Sequence, residues 1–309
     1  MDILTKTARI KIVGVGGAGC NAIRKLSIDK IQDCELLVVN TDQKALTRSI
    51  VSRKIHLGND LTGSYGNPTT ARLATERSLE ELTDALKGAE TIIIVTGLGG
   101  GTGSGASPVI AKLAKQLGAV VVAVVTLPFI HEGPNRQQKA MDCLALLEDC
   151  CDVVLRIPNE NINVVAEVNR LGTGAFAVLD DWILQGCVAV ADLFAHKKII
   201  QPKSPWSEVL NPRQRIWMGV GTGSGENRFV EVCERAFRRP MAEELKLTEA
   251  TQISYQVVSR ELTLDEFNRL NGIVRTMVPQ GLKIDASVAY DEGMAEDELR
   301  LSVWAVGSR

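Results

Sequence analysis

Two glycine-rich segments constrain this chain more than any other feature of its 309 residues. Ten of the 27 glycines fall either between Gly14 and Gly19 or between Gly97 and Gly105. Each segment follows a β-branched apolar run and precedes a helical pattern. Glycine lets the backbone approach a ligand closely, and a helix N-terminus offers unpaired N–H groups and a positive dipole. The two segments therefore predict two phosphate-binding loops at the ends of neighbouring strands.

Short apolar runs alternate with helical patterns through the first two hundred residues. The predicted strands are 10–15, 35–40, 91–95, 119–125 and 152–157, and the predicted helices lie near 18–28, 69–88, 104–117 and 135–149. This alternation is typical of an α/β fold with a doubly wound, mostly parallel, Rossmann-like sheet that binds ligands at the carboxyl ends of its strands. Only 13 residues are aromatic, which predicts a core of Val, Ile, Leu and Ala.

The last third of the chain changes style. A proline-free apolar stretch from Gly174 to about Phe194 predicts a long helix, and two prolines then break the periodicity between Gln201 and Trp206. Beyond them, strands near 216–221, 252–259, 283–290 and 299–306 accompany helices near 227–238 and 264–277. We predict a phosphate-binding domain over residues 1–173, a central helix over 174–196 and a smaller α+β domain over 197–309.

Composition excludes several classes of protein. The net charge of -2 gives no electrostatic reason to bind nucleic acid or an anionic bilayer. The start has no apolar signal segment, and the longest apolar run, 119–130, is shorter than the roughly 20 residues of a membrane span. Seven cysteines without a C-x-x-C pair, beside three histidines, predict neither a disulfide framework nor a protein-held metal. We expect a soluble cytoplasmic protein.

The first glycine segment also fits a different class. Gly14, Gly16 and Gly19 match the G-x-G-x-x-G fingerprint of dinucleotide-binding folds, so an NAD-dependent oxidoreductase is an alternative. Its acidic ribose partner should end the second strand, where Asn40 and Asp42 give only a partial match. A simple dinucleotide fold has no use for the second glycine segment, which argues against this alternative.

The second segment, Gly99 to Gly105, reads G-G-G-T-G-S-G and resembles the signature loop of the tubulin/FtsZ superfamily. From Ile10 to about Gly307, the motifs resemble those of the FtsZ family in order. The resemblance implies a GTP-binding parallel-sheet domain, a long central helix and a smaller C-terminal domain. It further implies GTP or GDP as ligand, head-to-tail filaments of copies of the chain, and a role in bacterial or archaeal cell division. Mg²⁺ is expected to accompany the phosphates.

The resemblance also implies which residues surround the nucleotide. Those assigned to the phosphates, with Asn21 also near guanine, are Gly16, Gly17, Ala18, Asn21, Gly99, Gly100, Gly101, Thr102, Gly103, Ser104 and Gly105. Asn40 and Asp42 would border the pocket, and Glu132 and Arg136 would contact the ribose. Asn159 lies in the next loop on the nucleotide side.

Two residues of the central helix resemble the guanine-binding pair of the family. Phe176 would pack on the base, and Asp180 would accept from its N1–H and exocyclic amine. Their spacing of four places both on one helical face. The alternatives are a core role for Phe176, a solvated role for Asp180, and a surface ion pair for Glu132 with Arg136.

The chain departs from the family where hydrolysis is completed. The family's loop after the central helix carries N-x-D-x-x-D and supplies acidic groups to the next subunit's nucleotide, whereas this chain has Gln201, Lys203 and Trp206 there, within a divergent loop over 197–211. Losing groups that position water should slow hydrolysis by orders of magnitude. Two functions remain open: a GTP-hydrolysing filament protein, and a non-hydrolysing structural or regulatory paralogue acting alone or with a related FtsZ-type protein.

A second departure concerns the loop expected to sense the terminal phosphate. Between Leu61 and Pro68 it is about three residues shorter than the family's version. Gly63, Ser64 and Gly66 can still present N–H groups to a phosphate. The preference between GTP and GDP is therefore open.

Head-to-tail stacking is a heterologous contact that yields open filaments. Exposed apolar residues such as Trp206 and Trp217 fit such a contact, with burial in the small domain as the alternative. Members of the family continue past the last strand, 301–306 here, into a flexible linker and a short peptide that binds membrane-tethering partners. The sequence does not decide whether such a tail belongs to this protein.

Overall fold

The computed structural model of the protein describes residues 10–29, 34–58, 63–164, 173–194, 198–200, 210–238 and 240–307. The chain divides into two compact units, the first ending at Val190 and the second beginning at Ala191. The division falls inside the predicted central helix. No helix of the described ranges is both long enough and apolar enough to cross a membrane.

The first unit is built on a parallel sheet. Its strands are β1 Ile10–Val15, β2 Cys34–Asn40, β3 Arg53–His56, β4 Thr91–Gly97, β5 Val120–Leu127 and β6 Val153–Pro158. In the described residues they lie in the order β3-β2-β1-β4-β5-β6, and every neighbouring pair is parallel. The strand order reverses between β1 and β4, which is where open α/β sheets bind ligands. One glycine segment begins at Gly14 near the end of β1 and the other at Gly97, the last residue of β4.

The helices of this unit are α1 Gly16–Asp29, α2 Gln43–Arg48, α3 Pro68–Arg77, α4 Leu79–Leu86, α5 Gly101–Gln116, α6 Pro134–Cys150 and the larger part of α7 Thr173–Phe194. The helix predicted over 69–88 is two helices that meet at Ser78. The short α2 and the edge strand β3 were not predicted. The large core cluster of the sheet consists of Val, Leu, Ile, Ala and Cys, as the scarcity of aromatic residues predicted.

The second unit is the predicted smaller α+β domain. Its strands are β7 Lys198–Ile200, β8 Arg215–Gly223, β9 Ala242–Glu243, β10 Gln252–Ser259, β11 Lys283–Tyr290 and β12 Leu299–Gly307. They lie in the order β7-β11-β10-β12-β8-β9, with β10 and β11 parallel and the other pairs antiparallel. Helices α8 Arg228–Arg238 and α9 Leu264–Met277 complete this part of the chain.

The core of the second unit contains aromatic residues. Trp217 is 2% exposed and its ring lies 5.6 Å from that of Phe237. The interpretation of Trp217 as an exposed contact residue is therefore wrong, because β8 turns this side chain inward to pack in the core cluster with Phe229. Trp206 lies outside the described residues.

A candidate nucleotide-binding cleft

The first glycine loop combines tight packing with one open position. Gly16 starts α1 with φ 72°, a left-handed conformation that favours glycine. A Cβ at Gly14 would lie 2.6 Å from the Gly19 carbonyl oxygen, and one at Gly19 would collide with that of Val95. A Cβ at Gly17 would meet no atom within 4 Å. The loop is thus packed against the sheet, and Gly17 faces open space at the start of α1.

The second glycine loop has the same division of roles. A Cβ at Gly103 would collide with the carbonyl oxygen of Gly97, and one at Gly105 with that of Pro68, whereas Gly100 has nothing within 4 Å. The Ser104 hydroxyl accepts a hydrogen bond from the Gly99 N–H at 2.8 Å and closes the turn. Helix α5 begins at the next residue after Gly100, so N–H groups without intrahelical partners lie beside that open space.

The two loops border a cleft of about 390 Å³, which is within the range of small-molecule sites. Its lining residues come from the sheet edge, both helix starts and α7: Val15, Gly16, Gly17, Ala18, Ser64, Gly97, Leu98, Gly100, Gly101, Thr102, Gly103, Thr126, Pro128, Glu132, Arg136, Asn159, Leu179, Asp180 and Ile183. Glycine backbone contributes to this lining together with charged, amide and aliphatic side chains.

Three buried hydroxyl groups meet beside the second loop. Thr102 Oγ1 lies 2.7 Å from Thr41 Oγ1 and 3.3 Å from Ser64 Oγ. Thr41 directly follows β2, so these contacts join the end of β2, the loop around Ser64 and the start of α5.

Glu132 and Arg136 form an ion pair at 3.0 Å. The second carboxylate oxygen of Glu132 accepts from the Phe129 N–H at 2.8 Å, and Gln137 Nε2 donates to the carbonyl oxygens of Pro128 and Phe129. Each carboxylate oxygen can accept a further hydrogen bond. The loop is therefore rigidly held and keeps acceptor capacity for a hydroxyl group in the cleft.

The lining also includes hydrogen-bond acceptors and apolar side chains. Asn159 is 8% exposed and its Oδ1 has no hydrogen-bond partner. Leu179 and Ile183 are 4% and 3% exposed and flank Asp180 on α7. A buried acceptor without a partner costs free energy unless a ligand supplies a donor. The lining therefore offers hydrogen-bond acceptors and apolar side chains to a ligand that carries N–H groups.

Asn40 and Asp42 have structural roles in this arrangement. Asn40 is 3% exposed, and its Oδ1 accepts from the Asp42 N–H at 3.2 Å while its Nδ2 faces Cys20 Sγ at 3.9 Å. Burial raises the pKa of the Cys20 thiol to about 11, so it stays protonated behind the first loop. Asp42 caps α2 by accepting from the Lys44 and Ala45 N–H groups. Their contact with a nucleotide stays a prediction.

The remaining predicted residues are distributed around the cleft. Those outside its lining are Asn21, Gly63, Gly66, Gly99, Ser104 and Gly105, besides Asn40 and Asp42. Phe176 lies in α7, and its side chain is outside the described part of the structure. Gln201, Lys203 and Trp206 also lie outside the described residues.

Sequence reasoning missed several lining residues. Leu179 and Ile183 lie three and seven positions after Phe176, so the helical spacing that pairs Phe176 with Asp180 could have identified them. Thr126 is the next-to-last residue of β5, and strand ends at this edge are expected to contact ligands.

Comparisons with known proteins agree with this geometry. Residues 9–167 match the family model described as Tubulin/FtsZ family, GTPase domain. The cell division protein FtsZ of Pseudomonas aeruginosa is 33% identical over 99% of this chain and 79% of its own length. An empty FtsZ dimer from M. jannaschii has a TM-score of 0.82 and 31% identity, covering 99% of this chain and 89% of that one.

A more distant structure shows the same fold. The GTPγS-bound protofilament of CetZ2 from Haloferax volcanii has a TM-score of 0.72 and 20% identity, covering 97% of this chain and 93% of that one. The sequence matches extend over nearly the whole chain. The protein belongs to the Tubulin/FtsZ family.

Proposed function

We propose that this protein binds guanine nucleotide in the cleft, assembles head to tail with copies of itself as a cytoplasmic cell-division filament, and hydrolyses GTP slowly. One observation carries the binding step: Gly17 and Gly100 both face open space at the N-terminal ends of α1 and α5. Two helix N-termini pointing at one cleft attract the negative charge of a polyphosphate. The family assignment supports GTP or GDP as that ligand.

Guanine is selected by hydrogen-bond acceptors. The Asp180 carboxylate and Asn159 Oδ1 can accept from the N1–H and the exocyclic amine of guanine, which adenine lacks in that pattern. Equilibrium dialysis should give GDP an affinity at least about 100-fold above that of ADP, since a site built for hydrogen bonds rejects ligands that leave its groups unpaired. Equal affinities, or binding of NAD instead, would refute guanine selectivity.

A comparison of inosine diphosphate with GDP measures how much the hydrogen bond to the exocyclic amine contributes to affinity. It lacks the exocyclic amine and should bind about 10-fold more weakly than GDP, the loss expected for roughly one charge-assisted hydrogen bond. In Asp180→Asn the difference between GDP and inosine diphosphate should shrink. An unchanged difference would assign the amine to another residue.

Assembly is supported by the relatives. The family members matched here include a cell division protein, a dimer and, at the level of fold, a protofilament. A head-to-tail contact places the C-terminal domain of one subunit over the nucleotide of the next and leaves the assembly open to growth.

Slow hydrolysis is supported by the sequence after α7. Gln201, Lys203 and Trp206 stand where the family has groups that position the attacking water. Lys203 would instead bring a positive charge to the phosphates of the neighbouring subunit's nucleotide. The double variant Lys203→Asp, Trp206→Asp should raise phosphate release at least about 10-fold if the rest of the site is competent. Release from the native protein at rates that the variant does not exceed would contradict this assignment.

A non-hydrolysing paralogue that modifies filaments of a related FtsZ-type protein is the second candidate, and Lys203 is the observation that favours it. It predicts that the chain sediments with GTP only in the presence of such a relative.

Within the described residues no group of three His, Cys, Asp or Glu side chains converges to hold a metal. We therefore expect Mg²⁺ to bind through the phosphates and water. Membership of the Tubulin/FtsZ family argues against the oxidoreductase alternative.

A further inference from the structure

We infer that the segment from Gly63 to Asn67, the 63–67 loop, is held against the start of α5 by protein contacts, so that GDP and GTP support assembly equally. The inference rests on the proposed function, because it concerns the nucleotide state in which filaments form.

The hydroxyl cluster anchors one side of the loop. Ser64 is 6% exposed, and its Oγ lies 3.3 Å from Thr102 Oγ1. Thr102 Oγ1 is in turn 2.7 Å from Thr41 Oγ1. The loop is thereby connected to the signature segment and to the end of β2 through side chains of the protein alone.

Backbone contacts anchor the rest of the loop. Lys139, on α6, donates from Nζ to the Gly66 carbonyl oxygen at 2.8 Å, and within the loop the Asn67 N–H closes a turn by donating to the Ser64 carbonyl oxygen at 2.9 Å. A Cβ at Gly101 would collide with Ser64 Oγ and lie 2.8 Å from the Asn67 nitrogen. The loop therefore lies directly on the first turn of α5, where only glycine fits.

Tyr65 at the tip of the loop supports the same conclusion. It has φ 50°, unlike the other described non-glycine residues, and its side chain is 81% exposed. A bulky residue persists in the left-handed region only when the surrounding structure holds it there, and an exposed ring contributes little of that restraint. The restraint comes from the contacts of Ser64, Gly66 and Asn67.

A ligand shifts a conformational equilibrium only through a difference in its affinity for the two conformations. If protein contacts already hold the loop in one conformation, the terminal phosphate can change the populations of its conformations only slightly. The Lys139 to Gly66 contact is the element that makes this loop independent of the nucleotide, and Lys139 is outside the cleft lining. Lys139 is thus a positioning residue for the nucleotide response.

Amide hydrogen exchange of the peptide over residues 63–70 tests the loop directly. The native protein should exchange at rates within about threefold of one another without nucleotide, with GDP and with GTPγS. In Lys139→Met, exchange should become about 10-fold faster with GDP and return toward the native rate with GTPγS. Lys87→Met, an exposed lysine after α4, is the matched control and should change nothing. Protection of the native loop by GTPγS alone would overturn the inference.

Sedimentation connects the loop to assembly. The native protein should pellet equally with GDP and GTPγS, and Lys139→Met should pellet with GTPγS only. Pelleting of the native protein with GTPγS alone overturns the inference and leaves the proposed function standing. Absence of pelleting with either nucleotide overturns the proposed assembly, and the exchange rates still decide how the loop is held.

Discussion

Two segments of this protein have nearly the same letters and opposite surroundings. Gly99–Gly105 reads G-G-G-T-G-S-G and Gly219–Gly225 reads G-V-G-T-G-S-G. The first begins α5 at the carboxyl edge of a parallel sheet and borders the cleft. The second lies mainly within β8, paired along its length with β12. A glycine-rich run becomes a candidate phosphate site only where its amides are free and face open space.

The second segment uses its glycines for packing. A Cβ at Gly219 would collide with the carbonyl oxygen of Ala236, and one at Gly221 with that of Val232, so α8 lies directly on the strand. Where the segment turns toward α8, the Gly225 N–H already donates to the Asp297 carboxylate at 3.0 Å. This N–H group already donates to a carboxylate of the same chain, so it is not available to a phosphate. Glycine content alone therefore does not identify a phosphate loop.

The largest effect should come from Gly219→Ala. Its methyl group has no space beneath α8, so the second unit should lose about 3 kcal/mol or more of stability, at the upper end of overpacking costs. Thermal unfolding followed by tryptophan fluorescence, to which the buried Trp217 and Trp304 of this unit contribute, measures this. The affinity of the folded protein for GDP should not change. Native-like melting would show that the packing of α8 on β8 is misjudged.

Gly17→Ala should weaken GDP binding without lowering stability, the opposite of the effect expected for Gly219→Ala. The methyl group enters the open space of the cleft, so GDP should bind about 10- to 100-fold more weakly, a loss of roughly 1.4–2.8 kcal/mol. Melting should be unchanged or higher, since Ala favours the helix. Gly272→Ala on α9, where a Cβ also meets nothing within 4 Å, is the control that should raise stability and leave binding intact. Unaltered GDP binding by Gly17→Ala would remove this loop from the site.

The smallest effects are expected for the threonine that is the fourth residue of each glycine-rich segment, Thr102 in the first and Thr222 in the second. Thr102→Val removes a buried hydroxyl bonded to Thr41 and Ser64, and should weaken GTP binding about 3- to 10-fold. Thr222→Val, at an exposed position of β8, should alter neither binding nor stability by more than about 0.5 kcal/mol. Isothermal titration of both variants measures the contrast. Equal effects would mean that the hydroxyl cluster does not support the cleft.

Much of the architecture could be predicted because long elements carry their own periodicity. Strands 10–15, 252–259 and 283–290 and helix 264–277 were predicted to the residue. The short α2 and β3 were missed, since six and four residues carry too little pattern. The prediction of one helix over 69–88 was wrong, because no proline or glycine in the sequence marks the break between the two helices at Ser78.

The sequence predicted which glycine segments border the candidate site, but it did not predict which glycines pack against the protein and which face the cleft. Whether Gly105 packs or faces ligand depends on Pro68, which is distant in sequence and lies against it only in the fold. The same reason applies to Asn40, whose amide is turned inward toward Cys20. Such roles depend on neighbours that three-dimensional packing supplies.

Sedimentation with GTP, with phosphate counted in the same tubes, tests most directly whether nucleotide in the cleft supports a filament. We expect the protein to pellet and to release no more than about one or two phosphates per subunit per hour, the order of a GTPase without its stimulating groups. Many turnovers per hour in the pelleted fraction would contradict the assigned role of Lys203 and Trp206. Failure to pellet with GTP would contradict the central claim that nucleotide in this cleft supports a filament.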